Sequence, residues 1–95
     1  MGIKIHKYGA GTWVFHCPGC KYEHPFRVDG DATRPQWTWN GSEEKPTFTP
    51  SLMVNRDWPE MQCHLNMTDG KIHFHTDCHH DLKGQVVDCP DWEGW

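Results

Sequence analysis

The sequence predicts a small, mostly β domain that is stapled by one zinc ion and resembles a zinc ribbon. Polar and apolar residues alternate along most of the chain, and no segment keeps a helical spacing over the roughly 11 positions of a convincing helix. Only 36% of the 95 residues are hydrophobic, which is little for a small domain to be stable by burial alone. A Cys-x-x-Cys pair at Cys17 and Cys20 offers two ligands for a stabilising metal.

The strands follow from the alternating runs, which Gly, Pro, Asn and Asp separate. The length is that of one domain, so residues 1–95 are expected to form a single zinc-binding β domain. A short helical turn is expected after the last hairpin, because Asp77 can cap it and Gly84 can end it. The predicted strands are Thr12–Cys17, Tyr22–Val28, Gln36–Asn40, Thr47–Val54, Met61–Met67, Lys71–Thr76 and Gln85–Asp88.

One hairpin has a register that the sequence predicts in full. Asp69-Gly70 between two alternating runs is typical of a type I′ turn, so Thr68 should face Lys71. Counting outward from the turn assigns each residue to a face of the sheet. The apolar face carries Met61, Cys63, Leu65, Met67, Ile72, Phe74, Thr76 and Cys78, and the face expected to be solvated carries Gln62, His64, Asn66, His73, His75 and Asp77.

Composition excludes several classes of protein. The net charge is -4 and the Lys and Arg residues are scattered, so nucleic-acid binding through a basic surface is not expected. No apolar run approaches the roughly 18 residues of a membrane span, and the first residues lack the apolar core of a signal peptide. We therefore expect a cytoplasmic protein. In that reducing compartment five cysteines favour metal binding over disulfides.

The zinc site is expected to draw on two distant segments. Cys17 and Cys20 form a knuckle whose short spacer brings both thiolates to one ion, and Gly19 relieves crowding in the tight turn. The hairpin register makes Cys63 and Cys78 diagonal neighbours on the apolar face, at roughly 7–8 Å between Cα atoms. These four thiolates would complete a closed structural site.

Histidines leave the ligand set open. His24 follows the knuckle and faces inward on its strand, His64 adjoins Cys63, and His80 lies two residues after Cys78. Any of the three can replace a cysteine, since imidazole and thiolate both satisfy zinc. Each can equally be an ordinary hydrogen-bonded residue. Cys89 is expected to be a buried apolar residue and not a ligand.

Several motifs together resemble a known family. They are Phe15-His16-Cys17-Pro18-Gly19-Cys20 with His24, Trp39-Asn40-Gly41, Lys45-Pro46-Thr47-Phe48, Pro50-Ser51-Leu52, Cys63-His64, Asp69-Gly70-Lys71-Ile72, and Asp77-Cys78 with His80, Leu82, Gly84-Gln85 and Asp88.

With these motifs the chain is similar to small uncharacterised zinc-binding proteins of bacteriophages and prophages, often labelled ammonia monooxygenase. The resemblance implies a phage-encoded zinc protein in the host cytoplasm, and it implies no established activity. The monooxygenase label has no support in a chain without a membrane segment or a copper site.

Two functions are consistent with these observations. The favoured hypothesis is an interaction module that binds a host or phage protein, for example to counter a defence system, because the chain is rich in tryptophan. The alternative is a small zinc-dependent enzyme that uses His24, His64 and His80 around the metal. The motifs of zinc proteases and of G-x-S-x-G hydrolases are missing, so no catalytic residue is assigned.

Overall fold

The computed structural model describes residues 2–9, 11–28 and 36–92. The regular secondary structure of the described residues is β apart from one short 3₁₀ turn, so the fold is mostly β, as predicted. Its elements in chain order are β1 (His6–Lys7), β2 (Thr12–His16), β3 (Glu23–Arg27), β4 (Thr38–Trp39), β5 (Phe48–Val54), a 3₁₀ turn (Pro59–Met61), β6 (Cys63–Thr68), β7 (Lys71–Phe74) and β8 (Val86–Asp88).

The strands form two antiparallel sheets. The first has the order β1-β2-β3 and the second the order β4-β5-β6-β7-β8. Neighbours in each sheet are also neighbours in sequence, so each sheet is a meander built from hairpins. This topology needs no helix to carry the chain across a sheet, which agrees with the absence of helical patterning.

The central hairpin has the predicted register. Asp69 and Gly70 both have positive φ, at 53° and 77°, as a type I′ turn requires. Thr68 pairs with Lys71, and the ladder continues to the pair of Leu65 with Phe74. The faces of β6 and β7 are therefore those that the sequence predicts. The prediction is wrong beyond the ends of these strands, where Met61 lies in the 3₁₀ turn and both Met61 and Thr76 are exposed and not on the apolar face.

The other predicted strands match the structure to within a few residues at each end. The predicted helical turn after β7 takes the form of hydrogen-bonded reverse turns, in which the Lys83 N–H donates to the His80 carbonyl at 3.2 Å. Gly84 has a φ of 75°, as expected of the residue that stops it. The predicted turn at Asp29-Gly30-Asp31 lies outside the described residues.

An aromatic core joins the two sheets. Phe26 of β3 stacks on Phe48 of β5 with ring centroids 4.0 Å apart, and both side chains are fully buried. Phe15 and Trp37 pack against Phe26 from either side. Cys89 is also fully buried in this core, as expected of a small apolar residue. Among the described residues, no helix has the length and apolar character that a membrane span requires.

Candidate functional site

Two neighbouring residues of β6 belong to two different sites. Cys63 is fully buried and faces the core, whereas His64 is half-buried and lies on the opposite face of the sheet. This follows from the alternation of side chains along a strand. The inner site is built from sulfur and imidazole, and the outer site from a hydroxyl, an imidazole and a carboxylate.

The inner site begins with the knuckle between β2 and β3. The Cys20 N–H donates to the Cys17 sulfur at 3.3 Å, and the Cys17 carbonyl accepts from the Lys21 N–H at 2.8 Å. A Cβ on Gly19 would lie 2.3 Å from the ring of His80. A larger residue at this position would therefore require the His80 ring to move away from the knuckle.

The knuckle and the hairpin bring their donor atoms together. Within each of two groups, all ligand atoms lie within 4.8 Å of one another. The first group is Cys17, Cys20, His24 and Cys63, and the second is Cys63, Cys78 and His80. Cys63 belongs to both groups, so sulfur atoms from β6, from the knuckle and from the segment after β7 come close together.

An orphaned ring nitrogen indicates that the first group fits a metal ion. His24 is fully buried, and its Nε2 has no partner of hydrogen-bonding geometry among the described residues. Its other nitrogen, Nδ1, contacts the Glu23 carbonyl at 3.2 Å. A buried polar atom without a partner is costly, and metal ligands commonly donate their second ring nitrogen to such a carbonyl.

The pKa values of the thiols support the same interpretation. A hydrogen bond from the Cys63 thiol lowers the pKa of Cys17 to about 3 and raises the pKa of Cys63 itself. Burial raises the pKa of Cys20 to about 12 and also raises the pKa of Cys78. The thiolate form is thus favoured at Cys17, and the protonated thiol is favoured at the three neighbouring cysteines. A divalent cation would stabilise several thiolates at once, so the donor set fits a metal.

The outer site is a hydrogen-bonded chain of three side chains. The Ser51 hydroxyl donates to Nε2 of His64 at 3.0 Å, and Nδ1–H of His64 donates to Oδ2 of Asp77 at 3.3 Å. Ser51 comes from β5, His64 from β6, and Asp77 from the segment after β7. A hydroxyl, an imidazole and a carboxylate in this order form the constellation that activates serine in many unrelated hydrolases.

A bulge in β5 places the serine. Between the pairs Phe48–Met67 and Leu52–Leu65, three residues of β5 oppose one residue of β6. Ser51 is the last of the three and lies diagonally across from His64, which pairs with Met53. Bulges beside functional sites redirect a side chain out of the regular ladder, and here the result is contact between hydroxyl and imidazole.

Further side chains hold the imidazole and the carboxylate in place. The Gln62 amide donates to both the backbone carbonyl and Oδ2 of Asp77, each at 3.2 Å. The His75 ring stacks on His64 with centroids 3.9 Å apart, and its Nε2 lies 2.6 Å from Oδ1 of Asn66. The polar face of the hairpin is therefore an organised network and not merely a solvated surface.

The structure separates the histidines that the sequence had grouped. Six of the seven predicted ligands lie in the two donor groups, and His64 does not. Its two ring nitrogens face Ser51 and Asp77 on the outer face. His64 adjoins Cys63 in the sequence, but adjacent residues of a strand point to opposite sides of the sheet.

The comparison with known families decides the identity of the chain. The model of the family described as "Bacterial ubiquitination-like system serine protease (BubE)" matches residues 2–75. The chain belongs to the BubE family. No curated protein and no solved structure matches it. Ser51 and His64 lie within the part that matches BubE, and Asp77 follows two residues after its end.

BubE membership corrects the functions predicted from the sequence. Both the phage interaction module and the zinc-dependent enzyme are wrong, because the family is described as a serine protease. The match lends no support to the ammonia monooxygenase label. The tryptophans that suggested an interaction surface differ in exposure, and Trp58 is 59% exposed. Trp37 and Trp39 pack against the core, so most of their rings are not available as interface anchors.

Sequence reasoning missed Ser51 and Asp77. The short motif Pro50-Ser51-Leu52 and the pair Asp77-Cys78 were visible, but neither matches a known catalytic motif, and the three residues lie in separate elements. One signal was available: the chain has only two serines, and Ser51 is the one within a strand beside a histidine-rich hairpin.

Proposed function

We propose that the chain is a serine protease in which Ser51 is the nucleophile, His64 the general base and Asp77 the residue that orients it. The observation that carries this proposal is the hydrogen-bonded chain from Ser51 through both ring nitrogens of His64 to Asp77. Membership in a family described as serine proteases supports it independently.

The reaction follows from the positions of the protons. Ser51 Oγ attacks the carbonyl carbon of a peptide bond while its proton passes to Nε2 of His64. The imidazolium then gives that proton to the leaving amine, and the C–N bond breaks to leave an acyl ester on Ser51. A water molecule repeats the sequence: His64 takes its proton, the hydroxide attacks the ester, and the proton returns to Ser51 as the acid is released.

The free protein already has its catalytic groups within contact distance. The contact of 3.3 Å between His64 and Asp77 is long for a charge-assisted hydrogen bond, and the Asp77 side chain is 46% exposed. Bound substrate would cover this carboxylate and exclude water from it, and such bonds commonly shorten when substrate binds.

We also propose that the inner site holds Zn²⁺ as a structural ion. Thiolate and imidazole donors are the ligands that zinc prefers in structural sites, and four of them close the coordination shell. Cys17, Cys20 and Cys63 would supply three ligands, and His24 or Cys78 the fourth. The ion would cross-link the knuckle to the hairpin. The proposed reaction on the outer face is assigned to Ser51, His64 and Asp77, and the ion is assigned a structural role.

The family description also names the biological system from which a substrate can be proposed. We propose that the substrate is a protein of a bacterial ubiquitination-like system, since that is the system named for the family. The protein partner expected from the sequence would then be this substrate. A cytoplasmic location would be consistent with the five cysteines, for which the structure shows no disulfide.

The test uses a fluorophosphonate, a reagent that forms a bond from phosphorus to an activated serine oxygen with loss of fluoride. We expect one adduct per chain, and peptide mapping by mass spectrometry should locate it on Ser51. Ser42→Ala is the matched control, because Ser42 is the other serine of the chain and its hydroxyl only accepts a turn hydrogen bond from the Lys45 N–H.

Labelling should be lost in Ser51→Ala and retained in Ser42→Ala. Elemental analysis of the same samples should find one zinc per chain in both variants. Absence of the adduct from folded wild-type protein would contradict the assignment of Ser51, and folded protein free of zinc would contradict the structural ion.

A further inference from the structure

Two imidazoles approach the sulfur atoms of the inner site, and their rings are held by different hydrogen bonds. His24 lies in the first donor group and His80 in the second, while Cys63 belongs to both. A four-coordinate structural zinc needs only four donors, so the two groups together offer more than one ion can use. In a neutral imidazole one nitrogen carries the proton and the other the lone pair, and the neighbours of each ring decide which is which.

His24 has the tautomer of a metal ligand. Its Nδ1 lies 3.2 Å from the Glu23 carbonyl, an oxygen that can only accept, so Nδ1 carries the proton. The lone pair is then on Nε2, the buried nitrogen that has no hydrogen-bond partner among the described residues. The ring is fully buried between Phe15 and Tyr22, with centroids 5.6 Å and 4.9 Å away, so its orientation is fixed.

His80 has the opposite tautomer. The Leu82 N–H donates to Nδ1 of His80 at 3.2 Å, so Nδ1 has the lone pair and Nε2 carries the proton. This Nε2 lies 3.6 Å from the Cys63 sulfur. A nitrogen that carries a proton has no lone pair for a cation, but it can donate a hydrogen bond to a thiolate. His80 therefore faces Cys63 as a donor.

Two contacts hold the His80 ring in this orientation. Phe74 meets it edge to face with centroids 4.6 Å apart, and Gly19 of the knuckle leaves room for it, because a Cβ there would clash with the ring. Rotation of the ring by half a turn would put a carbon in the place of Nδ1. The bond from the Leu82 N–H would then be lost, so the contacts favour the tautomer with the proton on Nε2.

Cys78 is bonded to the backbone of β6. Its sulfur accepts from the His64 N–H at 3.2 Å, and its S–H donates to the His64 carbonyl at 3.1 Å. A carbonyl oxygen at this distance favours the thiol, since S–H can donate to it whereas a thiolate would be repelled by its negative end. Cys78 thus has hydrogen-bond partners as a thiol and needs no metal to satisfy it.

We propose that three thiolates and one imidazole hold the structural ion, namely those of Cys17, Cys20, Cys63 and His24. His80 and Cys78 are then hydrogen-bond donors beside the ion and not ligands. The inference rests on the proposed structural ion and assigns its ligands. The His80 N–H would bond to the Cys63 thiolate, and such partners orient metal ligands and adjust the affinity for the metal.

The burial of the site favours the same ligand set. Three thiolates leave a smaller negative charge around a divalent ion than four thiolates do. A buried charge is costly when it is not compensated, so replacing one thiolate by a neutral imidazole lowers the cost of burying the site. The N–H of His80 compensates part of the charge that remains on Cys63.

The first experiment replaces zinc by Co²⁺ in the full-length protein. Cobalt bound to thiolates has a charge-transfer absorption band whose intensity rises with the number of bound sulfur atoms. We expect the matched variants His24→Ala and Cys78→Ala to differ: the first should change the visible spectrum and lower the affinity for metal, and the second should change neither. His24→Cys should raise the charge-transfer intensity by about one third, because three thiolates become four.

The second experiment tests the role of His80 by equilibrium competition with a chelator. His80→Ala should lower the affinity for zinc by about tenfold or more, since loss of a ligand's hydrogen-bond partner commonly has an effect of 10–100-fold. The charge-transfer band of the cobalt protein should be the same as in wild type. His80→Gln supplies an amide N–H that can reach the sulfur, so it should recover most of the affinity.

Nitrogen-15 NMR of the zinc-loaded wild-type protein reads the tautomers directly and needs no variant to fold. We expect a proton on Nδ1 and a metal on Nε2 in His24, and a proton on Nε2 in His80. A metal-bound Nε2 in His80 would overturn the ligand set and leave the structural ion intact. So would an unchanged cobalt spectrum in His24→Ala, or a band that falls by about one quarter in Cys78→Ala. Folded wild-type protein without bound metal would overturn the ion itself and this inference with it.

Discussion

The two faces of β6 differ in what holds their side chains in place. On the inner face Cys63 is fully buried among thiols and imidazoles, and packing fixes its position. On the outer face His64 is held by hydrogen bonds to Ser51 and Asp77 and by the stacked ring of His75. One strand thus carries a residue of the candidate metal site on one side and the proposed catalytic base on the other.

The difference shows how a very small domain can position a catalytic group. The next residue after Cys63 is His64, and the residue before Cys78 is Asp77. Cys78 also contacts the backbone of His64, since its sulfur accepts from the His64 N–H at 3.2 Å and lies 3.1 Å from the His64 carbonyl. An ion bound to Cys63, together with these contacts of Cys78, would fix the backbone that carries the base and the carboxylate.

Removal of a metal ligand from the inner face should have the largest effect on stability. We expect Cys63→Ser to lose the metal and unfold, because binding of a structural zinc contributes on the order of 10 kcal/mol, as much as the stability of a whole small domain. A strong chelator should do the same to wild-type protein. Metal content and circular dichroism would measure both, and a variant that stayed folded with zinc bound would contradict the assigned ligand.

The matched change on the outer face is His64→Ala, one residue away. It should keep zinc and melting temperature near wild-type values and lower kcat by about 10⁴–10⁶-fold, because the nucleophile loses its base. If His64→Ala released the metal, the separation of the two faces would be wrong.

A smaller loss is expected from Asp77→Asn. The amide cannot hold the protonated imidazole as the carboxylate does, so kcat should fall by about 10²–10⁴-fold with little change in stability. Asp81→Asn is the control, since Asp81 is exposed in the following turn. Steady-state kinetics with a peptide thiobenzyl ester would measure both. If Asp77→Asn and Asp81→Asn change kcat equally, Asp77 does not orient His64.

The smallest effect should come from the ring stacked on the base. A stacked aromatic pair contributes about 1 kcal/mol, so His75→Ala should lower kcat by about fivefold through looser positioning of His64. His75→Phe keeps a ring at this position and should recover most of the rate. His73→Ala, an exposed histidine of the same strand, should leave kcat unchanged. If the stacked ring does not position His64, kcat should be the same in His75→Ala, His75→Phe and His73→Ala.

The fold was largely predictable, whereas the outer site was not. Hairpins depend on turn residues and on alternation, both of which are local, so the pairing of Thr68 with Lys71 could be counted from Asp69-Gly70. The same count continued the ladder to a pair of Met61 with Cys78, but β7 ends at Phe74, and Cys78 approaches Cys63 from the turns that follow. Ser51 could not be placed in this way, because a bulge of two extra residues breaks the simple register of β5.

The sequence by itself determined the approximate strands, the central hairpin and the inner or outer face of the residues within β6 and β7, because these depend on neighbours a few positions apart. Only the tertiary structure decided that Ser51, His64 and Asp77 meet, and that no strand of the described residues pairs with β5 beyond Ser51 on the side away from β6. Both depend on how β5 bends at its bulge and packs against β3, and such long-range packing leaves no periodic pattern in the sequence.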